Sequence, residues 1–149
     1  MAIVFCLWVE TESDEKEKAI LSYFNTLEPV NSGKKHIIET YRGGVVTADN
    51  LSLNGGASET EVNEMSIVGF YLLEHLKKAP DFRYAFVGLD VDGLQFMNEV
   101  LENPNYAASF KGFVIRKDIY ESMGKPENLV EFNKNYMWNP YEGEAASRR

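Results

Sequence analysis

Eight consecutive apolar residues, Ala2 to Val9 (AIVFCLWV), leave this segment without a polar face. Its β-branched and aromatic side chains predict a strand covered on both sides, well inside a sheet. Phe82 to Leu89 (FRYAFVGL) reads as a second interior strand. A sheet with one wet face has no use for such runs, so the fold must place side chains against both faces of at least two strands.

Between these runs the period changes. Ser13 can cap a helix in which Ala19, Ile20, Tyr23, Phe24 and Leu27 share a face, and Pro29 and Gly33 close it. His36 to Tyr41, Gly43-Gly44 and Val45 to Thr47 predict a hairpin. Turn residues Asn54, Gly55 and Gly56 precede Ser58 and Glu61, the spacing of a capping box. In the helix that follows, Val62, Met65, Val68, Gly69, Leu72 and Leu76 form one face. Ile67, Phe70 and Leu73 widen it, predicting burial on more than one side, before Lys77, Lys78 and Pro80 end the helix.

After Leu89, Asp90-Val91-Asp92-Gly93 turns into a short helix carrying Leu94, Met97, Val100 and Leu101, stopped by Asn103-Pro104. A strand over 110–116 and one or two helical turns over 118–123 follow. Beyond Pro126 the pattern is irregular.

The order strand, helix, strand, strand, helix, strand across residues 2–89 predicts an α+β two-layer sandwich. Its expected core is a ferredoxin-like βαββαβ unit, with a C-terminal helix-strand extension. The alternative is a three-layer α/β fold with helices on both faces, which the two apolar strands favour. A length of 149 residues suits one domain, placed at 1–143, with 144–149 as a disordered tail.

The net charge of −8 repels phosphate, which argues against a nucleic-acid partner. A single cysteine, Cys6, cannot form an intrachain disulfide, which favours a reducing, cytoplasmic setting. The uncharged stretch Met65–Leu73 is far short of the ~18 apolar residues of a membrane span, so no membrane partner is expected. Much of the acidity sits where helices begin, at Asp14, Glu15 and Glu17 and at Glu59, Glu61 and Glu64, where it complements the helix dipole.

Asp90 and Asp92 after an apolar strand are the most enzyme-like pair. Asp90-Val91-Asp92-Gly93 resembles the first motif of haloacid-dehalogenase-type phosphatases, departing from it at Leu94 where that family has Thr or Val, and the resemblance implies Asp90 as nucleophile and Asp92 as general acid. The structural reading of the same residues makes Asp92 an N-cap, with Gln95 completing the box. His75 is the third catalytic candidate, as a half-exposed base on a helix. Two histidines and one cysteine, widely separated, make no recognisable zinc set, and no metal or cofactor is expected. Phe132, Tyr136, Trp138 and Tyr141, interleaved with asparagines, are the candidate partner-binding residues; the other reading has this segment covering the chain's own sheet.

These features predict a small non-catalytic interaction or regulatory module, binding a protein partner or associating with itself through the Ile67–Leu73 helix or the aromatic tail. One alternative is a small-ligand-binding protein or metal-dependent hydrolase using Asp90 and Asp92. Another is an immunity-type or decoy protein presenting Glu10–Glu17 and Glu59–Glu64 to a basic partner.

Overall fold

The computed structural model describes residues 3–53, 58–89 and 97–144. β1 (Ile3–Glu10) leads into α1 (Asp14–Asn25), where the Ser13 hydroxyl accepts from the Lys16 amide and acidic residues fill the first turn. A short hairpin of β2 (Val30–Asn31) and β3 (Lys35–His36) follows where the sequence predicted only a helix stop. β4 (Ile38–Tyr41) and β5 (Val45–Leu53) then form the expected hairpin around Gly43-Gly44. α2 (Glu59–Leu76) opens on the expected capping box: the Ser58 hydroxyl accepts from the Glu61 amide, and the Glu61 carboxylate accepts from the Ser58 amide.

β6 (Tyr84–Leu89) completes the first half of the chain. Downstream lie α3 (Met97–Glu102) and α4 (Pro104–Ala108). Pro104, expected only to stop a helix, also opens the next one, since the first helical turn needs no amide hydrogen from it. The strand expected over 110–116 is confined to β7 (Val114–Arg116), because Phe110 to Phe113 close a turn in which the Phe113 amide donates to the Phe110 carbonyl. α5 (Lys117–Ser122) follows.

The region past Pro126 is not irregular throughout. β8 (Val130–Asn133) and β9 (Tyr136–Trp138) form a hairpin, and the Asn133 side chain accepts from the Asn135 amide in its turn.

Among the described residues one sheet has seven strands in the order β4-β5-β1-β6-β7-β9-β8, and every neighbouring pair is antiparallel. The chain is therefore a mixed α+β fold. β1 explains why its run is apolar throughout. Phe5, Leu7 and Val9 face a core shared with Ile20 and Phe24 of α1 and with Met65 and Leu72 of α2. Cys6 and Trp8 face a second cluster with Tyr84, Phe86, Phe113 and residues of α3, α4 and α5. Each large side chain so buried contributes roughly 1.5–3 kcal/mol.

Coverage of the second face is partial. Tyr41, Val45, Trp8 and Phe86 are successive cross-strand partners and so share that face. Tyr41 is 52% exposed at the β4 edge, whereas Phe86 near the sheet centre is 3% exposed. No helix among the described residues is long and apolar enough to cross a membrane.

Candidate functional site

Asp90 and Asp92 lie outside the described residues, as do the loop glycines Gly55 and Gly56 and residues 145–149 of the expected tail. Glu144, placed by sequence at the start of that tail, is 2% exposed and docked on α2, where its amide donates to the Ser66 hydroxyl at 2.9 Å.

His75 occupies the last turn of α2, half-buried, its ring edge-on to Tyr71 at 4.6 Å. Burial lowers its pKa, Lys78 lowers it further and Glu74 opposes, so the imidazole is neutral near pH 7. Its carbonyl accepts from the Tyr23 hydroxyl at 3.0 Å, which ties α1 to α2. These contacts hold the two helices together.

The four aromatic residues expected to reach a partner are engaged by the chain itself. Tyr136 stacks on Phe82 at 4.2 Å, and its hydroxyl accepts from the Phe82 amide at 3.0 Å. The hydroxyl proton faces the Phe82 carbonyl at 2.8 Å and Asp81 Oδ1 at 3.1 Å, and burial raises the phenol pKa. Phe132 and Trp138 pack at 5.0 Å with the Lys77 ammonium over both rings. Tyr141 is buried between α2 and the turn at Gly112, and donates to Glu144 Oε2 at 2.6 Å. The hairpin thus covers the outer side of β7, the sheet-covering role considered for it.

At one end of the sheet, Glu12, Lys16, Asp81, Arg116 and Asp118 form an ionic cluster. Arg116 reaches Glu12 at 2.5 Å, Asp118 at 2.8 Å and Asp81 at 3.0 Å, and Lys16 reaches Asp81 at 2.7 Å. Beside it Glu10 pairs with Arg83. Glu10 and Glu12, two of the carboxylates considered for a basic partner, are thus paired within the chain, and Glu61 is engaged at its own helix start. The network joins α1, β7 and the loop before β6. At this exposure each pair contributes little, and their value lies in fixing the three elements together.

The outer face of α2 differs from that of α1. Thr60, Asn63, Ile67, Phe70 and Glu74 form its exposed stripe, and at the stripe's centre Ile67 and Phe70 are 43% and 45% exposed. The expected burial of α2 on more than one side holds for Leu73, which is 2% exposed, and fails for these two. Phe70 rests edge-on against Tyr141 at 4.9 Å, which fixes its ring. Glu59 and Glu61 mark the acidic end of the stripe, and Lys77 and Lys78 follow the helix at the other.

Sequence reasoning joined no serine to a histidine, yet the β2–β3 hairpin brings Ser32 to His36. Ser32 Oγ lies 2.7 Å from His36 Nε2, and His36 Nδ1 lies 2.7 Å from the Asp49 carbonyl oxygen. A carbonyl can only accept, so Nδ1 carries a proton, and in the neutral ring Nε2 is left to accept from Ser32. His36 has no exposed surface, while Ser32 sits half-buried among exposed Asn31, Gly33 and Lys34. The available signal was Asn31-Ser32-Gly33, a turn that folds the chain back on itself and so returns His36 toward Ser32.

Among the described residues no group of three or more His, Cys, Asp or Glu side chains is placed to hold a metal ion. Comparison with known proteins finds no matching family model, curated protein or solved structure.

Proposed function

We propose that the chain is a protein-interaction module that pairs with a second copy of itself through the outer face of α2. The observation that carries this reading is the Ile67–Phe70 pair, solvent-facing at the middle of the helix. An antiparallel partner helix centred there brings Ile67 of each copy to Phe70 of the other. It also sets the acidic end of each α2 near the other's Lys77 and Lys78, and opposes the helix dipoles favourably.

Magnitudes set the strength. Four half-exposed apolar side chains supply on the order of 4 kcal/mol, comparable with the lower range of association costs, so the dimer is weak and concentration-dependent.

Residues 3–53 and 58–89 form a ferredoxin-like unit built from β1, α1, β4, β5, α2 and β6. Support comes from the neighbour order β4-β5-β1-β6, the antiparallel pairings and the packing of both long helices in one core. A reducing cytoplasmic location is supported by the lone cysteine, buried in β1.

Sedimentation velocity over a concentration series tests the pairing. The expected result is a reversible monomer–dimer equilibrium that Ile67→Glu abolishes while the thermal midpoint stays within the small range of surface substitutions. A monomer throughout the series, or a dimer indifferent to Ile67→Glu, overturns it.

A further inference from the structure

We propose that Ser32 is a nucleophile held ready by His36, able to take an acyl group from a small carboxylic ester. The inference goes beyond the pairing of α2 and stands or falls separately from it. It rests on three linked observations. The Ser32 hydroxyl is within hydrogen-bond reach of a ring nitrogen; that nitrogen is the one left without a proton in the neutral ring; and the other ring nitrogen is oriented by the Asp49 carbonyl. Nucleophile, base and orienting group in this order are what general-base activation of a serine requires.

The hairpin holds these atoms from several sides. The Asn31 side chain accepts from the Gly33 amide at 2.9 Å, and the Ser32 amide donates to the Lys34 carbonyl at 3.0 Å, which fixes the turn bearing the serine. Asp49 is anchored in turn: its amide donates to the Ile37 carbonyl at 3.0 Å, and its side chain accepts from the Ile37 amide at 2.5 Å. The base is therefore immobilised and the serine stands at the rim. Exposed Lys34 and Lys35 on the same hairpin favour esters whose acyl group carries a carboxylate.

The chemistry balances without a further reagent. Ser32 Oγ bonds to the ester carbonyl carbon as its proton passes to His36 Nε2. The carbon–oxygen bond to the alcohol then breaks, and the alcohol departs with that proton. Water, deprotonated by the same nitrogen, bonds to the acyl carbon. The acyl–Ser32 bond breaks, and His36 returns the proton to the serine.

The full chain incubated with p-nitrophenyl acetate and with p-nitrophenyl hydrogen succinate tests this, with p-nitrophenolate release followed by absorbance and the modified residue located by peptide mass spectrometry. The expected outcome is an acyl group on Ser32, faster with the succinate ester. Ser32→Ala should lose the modification, and in His36→Gln it should form about a hundredfold more slowly. Acylation confined to lysines, or equal rates in wild type and Ser32→Ala, overturns the proposal. Because His36 is buried, His36→Gln can disturb folding, and Ser32→Cys supplies an independent reading. Its thiol should react with iodoacetamide at pH 6 at least about tenfold faster than a cysteine placed at exposed Ser22. Equal reactivity at the two positions overturns the pairing of Ser32 with a base.

Discussion

Tyr141 lies so close to Gly69 that a Cβ at position 69 would stand 2.5 Å from its hydroxyl oxygen and 2.8 Å from its ring. Gly112 receives the other side of the ring, with a Cβ there 3.1 Å from Tyr141 Cδ1 and 2.5 Å from Val87 Cγ1. The C-terminal segment is thus seated on α2 through two positions that only glycine fits. Gly69→Ala gains intrinsic helix propensity but must displace the ring, and overpacking of this kind costs about 1–3 kcal/mol. A lowered thermal midpoint is the expected result. An equal or higher midpoint would mean that Tyr141 is not seated there.

Tyr136 offers a sharper test of the hairpin. Its hydroxyl accepts from the Phe82 amide, a buried group at the entrance to β6. Tyr136→Phe keeps the stacking on Phe82 and removes the acceptor, leaving an amide unsatisfied at a cost of roughly 1–3 kcal/mol. Chemical denaturation should show the loss without a change in m-value, since the surface exposed on unfolding is the same.

The ionic cluster makes a pH prediction. Glu12 is held below its ordinary carboxyl value of 4.5, chiefly by its hydrogen bond to Arg116. Asp118 is held below 3.8, first by its hydrogen bond to Arg116. In Asp81 burial pushes upward, but Lys16, Tyr136 and Arg116 outweigh it and the net shift is down. A carboxylate with a depressed folded-state pKa binds fewer protons folded than unfolded, so its stabilisation is present above the ordinary value and fades as pH falls through the folded value. Wild type should therefore lose stability below about pH 4, and Arg116→Ala should show a shallower acid slope from a lower starting stability. Parallel curves for the two proteins would show that Arg116 does not set these carboxylates.

Much of the first half was legible because its elements carry strong local signals. The unbroken apolar run of β1, the Ser13 and Ser58 caps and the Gly43-Gly44 turn each restrict the backbone through neighbours in sequence. β8 and β9 were missed for the opposite reason: Val130-Glu131-Phe132 alternates over too few residues to register. What stabilises them is the docking of Tyr136 on Phe82, a partner 54 residues away. The Ser32–His36 pair was illegible because its orienting group is a backbone carbonyl from β5, which no side-chain motif announces. The aromatic tail drew attention for sound reasons, but its burial is a matter of where β7 ends in space, which composition does not encode.

The position of β9 against β7 has a bearing on how the protein is made. Ribosomes deliver the amino end first, so the backbone groups on β7's outer rim wait without their neighbour until residues 136–138 emerge. During that interval the border beside Val114 and Ile115 is open to any strand that reaches it, its own hairpin's or another molecule's.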